Sequence, residues 1–267
     1  MPFITKITTQ KKNSERFNIY LDDKYAFSVD QDIFIKYSLQ KGKELDELDM
    51  FEIQYGDDVK KAFNIAVNYL SYRMRAIREV MDYLRQKEID DAVIQEVIHK
   101  LKEYNYVNDS EFANSYVRTQ FQSNRKGPEL IRKELVTKGI DVNEIEEALS
   151  LYSEEQQIDA ALSTAEKVVK KENRLSTTER RQKIEQTLAR KGFPFSIIHI
   201  VLEEIDYKKD ENEEWGALKL QAEKAKKKYR SEESFQYKLK MKQFLYRKGF
   251  ELDLIEQYLN EEEEDFI

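Results

Sequence analysis

The sequence has no cysteine, which excludes disulfides, thiolate metal sites and cysteine nucleophiles and suits a reducing compartment. Only 3 prolines and 7 glycines occur in 267 residues, too few breakers for the many tight turns of a sandwich or barrel. No run approaches the roughly 18 to 20 apolar residues that a membrane span needs. The opening residues Met1, Pro2, Phe3 and Ile4 lack the basic-then-apolar pattern of an export signal, so a cytoplasmic protein is expected. Histidine is nearly absent too. His99 and His199 are the only two, each beside core positions of an expected helix and without a ligand-spaced partner, so no metal site is expected.

Familiar catalytic patterns are also missing. There is no phosphate-binding glycine loop, no dinucleotide fingerprint, no nucleophile elbow and no zinc-protease helix. The acidic pairs Asp22-Asp23, Asp57-Asp58 and Asp90-Asp91 would suit Mg2+ in a nuclease, but they read as turn or cap positions, where Asp is favoured anyway. Neither catalytic residues nor a cofactor are therefore expected, and the chain reads as a non-enzyme.

Charge and aromatic residues are abundant. Charged residues make up 36% of the chain and aromatic ones 12%, a balance that favours long helices with solvated faces over disorder. Net charge is −7, which counts against a generic nucleic-acid coat protein.

Residues 1–57 read as a small β-rich cap. Phe17, Ile19 and Leu21 alternate with polar neighbours, Asp22-Asp23 intervenes, and Tyr25, Phe27 and Val29 alternate again, which signals a hairpin. Residues 3–9 offer a third strand, and 30–39 a short helix. From about residue 58 the period becomes helical, as at Ile77, Val80, Met81 and Leu84.

An internal repeat organises the remainder. Leu84-Lys87-Glu88-Ile89, Leu135-Lys138-Gly139-Ile140, Leu188-Lys191-Gly192-Phe193 and Leu245-Lys248-Gly249-Phe250 share one frame, each followed by matched Ile and Leu or Ile positions. The lysines lie 51, 53 and 57 residues apart. The physics of the frame is a helix stop: Lys at the C-cap, Gly in the left-handed conformation after it, and an apolar contact across the turn. Glu88 lacks the glycine advantage, a deficit of roughly 1 kcal/mol. Start signals fall between the stops, at Asn108, Asp141, Ser153, Ser176 and Pro128. Three-helix repeats over 58–107, 108–152, 153–207 and 208–267 follow, the last with an acidic run at 261–265. The expected fold is mainly α: an elongated array of four tandem three-helix repeats behind the cap.

First and second helices of the repeats are rich in cations, as at Arg73, Arg75, Arg78, Arg125, Lys126, Arg132, Lys133, Arg180, Arg181 and through 219–248. Stacked repeats would align these into a basic strip able to follow phosphates or an acidic protein surface. The plainer reading is a solvated face with nearby acidic partners such as Glu79 and Glu134.

Two segments carry a family resemblance. Tyr69-Leu70-Ser71-Tyr72-Arg73-Met74-Arg75-Ala76, continuing with Glu79, Leu84 and Lys87, resembles a signature of the RecX family of recombinase regulators. Tyr106-Val107-Asn108-Asp109-Ser110-Glu111-Phe112-Ala113, then Gly127, Ile131, Leu135 and Lys138-Gly139-Ile140, looks like its second motif. Ala76 stands where the family usually has Ser and Glu88 where it usually has Gly. Four repeats and a β-rich N-terminus are similar to the longer Gram-positive members. The resemblance implies a protein that binds the RecA recombinase filament, and single- or double-stranded DNA within it, and hinders recombination, ATP hydrolysis and co-protease activity; a monomer is expected. Arg73 and Arg75 carry the match most directly. A free nucleic-acid-binding repeat protein and a protein–protein adaptor are the alternatives.

Overall fold

The computed structural model describes residues 1–11, 13–229 and 234–264. The chain opens with a three-stranded antiparallel meander, β1 (Ile4–Thr9), β2 (Arg16–Leu21) and β3 (Lys24–Asp30), in the order β1-β2-β3. Asp22 and Asp23 form the two-residue turn of the second hairpin, both with positive φ (46° and 64°), the handedness that matches strand twist. Ile19, Leu21, Phe27 and Val29 are buried as the alternation requires, but Tyr25 is exposed. The cause is a register shift: Ile19 pairs with Phe27 and Tyr20 with Tyr25, so Ala26 is an extra residue that moves Tyr25 onto the Tyr20 face.

The short helix α1 (Gln31–Lys36) leads into α2 (Glu47–Leu70), capped by reciprocal bonds between Asp46 and Asp49. α2 runs without a break through the expected boundary at 57/58. Its Ile53 joins the cap's core with Ile4, Val29 and Leu45; its Val59, Ala62 and Ala66 join the first repeat's core with Val80, Leu84, Ile94 and Leu101. Asp57-Asp58 is therefore mid-helix rather than a turn or cap. Asp57 is buried and accepts from Arg16 Nη2 (2.7 Å), Lys61 Nζ (2.9 Å) and the Asp30 N–H (2.7 Å). Burial opposes its charge, yet those donors hold the carboxyl below its ordinary value.

The remaining helices among the described residues are α3 (Ile77–Gln86), α4 (Asp91–Glu103), α5 (Asp109–Asn124), α6 (Pro128–Thr137), α7 (Val142–Ser150), α8 (Glu154–Lys171), α9 (Thr177–Arg190), α10 (Phe195–Glu204), α11 (Glu211–Tyr229), α12 (Ser234–Arg247) and α13 (Leu252–Glu264). Counted from α2 they fall into threes: α2–α4, α5–α7, α8–α10 and α11–α13. The far end of the acidic run, at Asp265, lies outside the described residues. Two compact units result, 1–112 with 138–141, and 113–137 with 142–267.

Each stop has the expected backbone. φ is +60° at Glu88, +81° at Gly139, +86° at Gly192 and +80° at Gly249. At the third, Phe193 N–H donates to the Leu188 carbonyl (3.1 Å) and Gly192 N–H to that of Ala189 (2.9 Å), the paired bonds of a Schellman motif. Leu84, Leu135, Leu188 and Leu245 are all fully buried, so the stop and the core are set by the same residue.

Candidate nucleic-acid interface

In the first unit the turn between α2 and α3 carries Arg73 and Arg75, the first turn of α3 carries Arg78, and Glu79 organises the group. From the N3 position of α3, Glu79 accepts from the Ala76 N–H (3.1 Å), Arg73 Nη2 (3.0 Å) and Lys138 Nζ (3.1 Å). Burial works against its charge, but the bonds from Arg73, the Ala76 backbone and Lys138 outweigh that and bring the carboxyl down to about 2. Arg75 lies flat against Tyr69, its guanidinium 3.6 Å from the ring centroid, and Tyr69 stacks on Tyr83 at 3.8 Å. Arg78 is the freest of the three: its side chain is 61% exposed, and Asp82 stands 3.9 Å away. Tyr72 and Met74, on either side of Arg73, are exposed as well.

In the second unit the expected cations divide into different roles. Arg132 is clamped by Glu146 (2.7 and 3.0 Å) and Glu129 (2.6 Å), which raise its pKa. Lys126 is held by Glu134 at 2.5 Å, and Glu134 also accepts from the Tyr116 hydroxyl. Lys133 is exposed, and Arg181 faces Glu185 at 3.5 Å from a half-exposed position. Arg180 departs from the expectation. It is only 6% exposed and donates to the carbonyls of Tyr207 (3.1 Å) and Glu172 (3.4 Å), so its charge satisfies backbone acceptors just past the ends of α10 and α8 and is not presented to a partner. Cation counting along a helix does not tell which cation faces inward.

A further concentration of positive charge was only partly expected. Arg125, Lys167, Lys171, Lys183, Arg190 and Lys191 line one cleft of about 520 Å³, formed by the turn after α5 with α8 and α9. Arg125 was among the expected site residues; Lys167 and Arg190 were missed. Their signal was in the spacing, since 164, 167, 168 and 171 share one face of α8, and 183, 187 and 190 one face of α9. Among the described residues Glu172 is the only carboxylate in the lining. Lys191 feels the crowding: burial first, then Lys167, Arg125, Lys126 and Arg190, push its pKa down.

His99 and His199 are surface residues beside Glu103 and Glu203, one helical turn on. Among the described residues no three His, Asp or Glu side chains come together as a metal site, and no helix is long and apolar enough to cross a membrane.

Residues 2–46 match the model of the regulatory protein RecX N-terminal domain, 62–101 that of the first RecX three-helix domain and 108–149 that of the second. The third three-helix domain matches twice, at 154–202 and 212–259. The chain belongs to the RecX family. The double match explains the fourth repeat as a second copy of the third module. Relatives named "Regulatory protein RecX" share 57% identity in Bacillus subtilis and 56% in Bacillus velezensis, each over 98% of this chain and 100% of the relative. A crystal structure of regulatory protein RecX superposes with TM-score 0.68 at 35% identity, covering 76% of this chain and 100% of that one. RecX from Lactobacillus salivarius gives TM-score 0.53 at 40% identity over 56% of this chain and 97% of that one.

Proposed function

We propose that this RecX-family chain is a cytoplasmic, monomeric, non-enzymatic regulator that binds the RecA–DNA filament and mainly restrains its recombinase, ATPase and co-protease activity in DNA repair. The observation that carries the reading is membership along nearly the whole chain in a family whose relatives are named regulatory proteins. Tandem repeats suit a partner whose own surface repeats, because several weak contacts act together through high effective concentration. The exposed Arg78 and Lys133 and the half-exposed Arg73 and Arg181 are the candidate contacts with protein or DNA.

The test is DNA-stimulated ATP hydrolysis by the recombinase, measured with and without substoichiometric amounts of the chain. A fall in hydrolysis is the expected result. Unchanged hydrolysis with tight, salt-sensitive binding to bare DNA would instead make it a free nucleic-acid-binding repeat protein. Unchanged hydrolysis with no response to nucleic acid would make it an adaptor.

A further inference from the structure

Three junctions in the chain share one construction. Each sets the lysine-led stop of one repeat against the first turn of the second helix of the repeat before it. At the first junction Lys138 donates to Glu79 (3.1 Å), and Asp109 accepts from the Ile77 N–H (2.8 Å). At the third, Lys248 donates to Glu179 (3.0 Å), and Glu214 accepts from the Thr177 N–H (3.1 Å). Two carboxylates thus answer the lysine and the helix start at both places.

The middle junction has neither. Its helix begins with Pro128, which has no N–H to offer, and carries Leu130 at the position held by Glu79 and Glu179 in the other two. Main chain makes the joint instead: Gly127 N–H donates to the Lys191 carbonyl (2.8 Å) and Glu129 N–H to that of Gly192 (3.0 Å). The backbones approach so closely that a Cβ on Gly127 would lie 2.3 Å from the Gly192 carbonyl carbon. Among the described residues the Lys191 ammonium finds only a neutral acceptor, the Asn124 carbonyl at 2.8 Å.

Lys191 is also the lysine that borders the basic cleft. Among the described residues none of Arg125, Lys167, Lys171, Lys183, Arg190 and Lys191 has a carboxylate within ion-pair distance, whereas Arg73, Arg85, Arg132 and Arg181 each do. Six cations gathered around one carboxylate, Glu172, which lies in the lining but is ion-paired to none of them, repel one another in a protein of net charge −7 and leave an excess of positive charge in the cleft.

We infer that this cleft binds consecutive phosphates of a nucleic-acid backbone, which take the place of the carboxylates present at the other two junctions. Four of the six cations are lysines, compact point charges suited to phosphate, and Ser123, Thr164 and Thr187 add hydroxyls to the lining. Among the described residues no aromatic ring lines the cleft for bases to stack on, so recognition is of backbone and independent of sequence. The inference deepens the filament reading by assigning DNA phosphates to the third repeat, and it can fail by itself.

The experiment measures binding of the full chain to a fluorescent oligothymidine of about 16 nucleotides, with no recombinase present, between about 50 and 200 mM salt. Two double variants on different helices, Lys183→Glu with Arg190→Glu and Lys167→Glu with Lys171→Glu, should each weaken binding about tenfold or more. Each should also flatten the salt dependence by about one for every phosphate no longer neutralised. Circular dichroism must show unchanged helix content for a variant to count. Native binding by both folded variants would overturn the assignment, as would equal affinity of the unsubstituted chain for a polyglutamate peptide, which would make the cleft a seat for acidic protein. Loss of oligonucleotide binding in the variants supports the cleft even if the unsubstituted chain proves to have no effect on recombinase ATP hydrolysis, an outcome that would remove only the filament reading.

Discussion

Glu79 and Lys138, 59 residues apart in sequence, meet at 3.1 Å and join the second helix of the first repeat to the stop that ends the second helix of the next. The pair belongs to a half-buried cluster with Arg73 and the Ala76 N–H, so removing one member leaves the others short of a partner. With the Glu79 carboxyl at about 2 against an ordinary 4.5, the unfolded chain binds the proton more readily between those values. The stabilisation is therefore complete above about pH 5 and is lost as pH falls toward 2. After allowance for solvent screening it amounts to about 1–2 kcal/mol. Glu79→Gln should lower stability by about that much at pH 7 in urea denaturation and should flatten the fall between pH 5 and 3. Equal acid sensitivity of the two proteins would show that Glu79 is not the group responsible.

Glu88 holds a left-handed conformation (φ +60°) at a stop where the other three repeats have glycine. Replacing it with Gly removes the Cβ penalty and should raise stability by about 0.5–1 kcal/mol, with no change in helix content. Gly192→Ala should do the reverse, because its Cβ would meet the Leu130 backbone nitrogen at 2.3 Å as well as the unfavourable φ. A loss of about 3 kcal/mol is expected there. Urea midpoints for the two variants check both signs, and a stabilising Gly192→Ala would mean that the two backbones stand further apart than this.

Neighbouring arginines on α9 should behave oppositely. Arg180 is buried and satisfies two carbonyls, so Arg180→Ala should cost about 2–3 kcal/mol through the unpaired acceptors and the missing packing. Arg181 is half-exposed with a loose partner in Glu185, and Arg181→Ala should change stability by less than about 0.5 kcal/mol. Thermal melts of the two proteins make the comparison directly. Similar losses in both would contradict the burial difference.

What the sequence revealed follows from how local each feature is. The helix stops were legible because a stop needs a particular residue within one turn, and Leu, Lys, Gly and an apolar residue recur in register. The Asp22-Asp23 turn was legible for the same reason. The continuity of α2 was not, since the change from β-like to helical patterning near residue 58 hid a helix that had begun at Glu47 and serves two cores in turn. Tyr25 was misplaced by one extra residue in β3, which alternation does not register. Of the candidate site, the residue types were legible and their surroundings were not. Arg180, Arg132 and Arg78 look alike in sequence, yet one is buried, one is clamped by two glutamates and one is largely free. Lys191 lacks the carboxylate partner of the other stop lysines because Leu130, 61 residues earlier, stands where they meet a glutamate, and only tertiary structure brings that comparison into view.

The freedom of Arg78 makes it the sharpest probe of the filament reading. Its side chain is 61% exposed with Asp82 at 3.9 Å, so the charge is available while the stem packs against Gly139. Arg78→Glu should raise the amount of protein needed for half-maximal restraint of recombinase ATP hydrolysis about tenfold, the equivalent of one interfacial ion pair of about 1.4 kcal/mol. Arg78→Gln keeps most of the stem and should give a smaller shift in the same direction. Lys133→Glu tests the second unit in the same way, from another exposed position. Arg75→Glu serves as a contrast: it breaks the stack on Tyr69 and should lower the melting temperature along with activity. If Arg78→Glu and Lys133→Glu, each with native helix content, restrain hydrolysis as well as the unsubstituted chain, these cations do not touch the filament and contact must come from other surfaces.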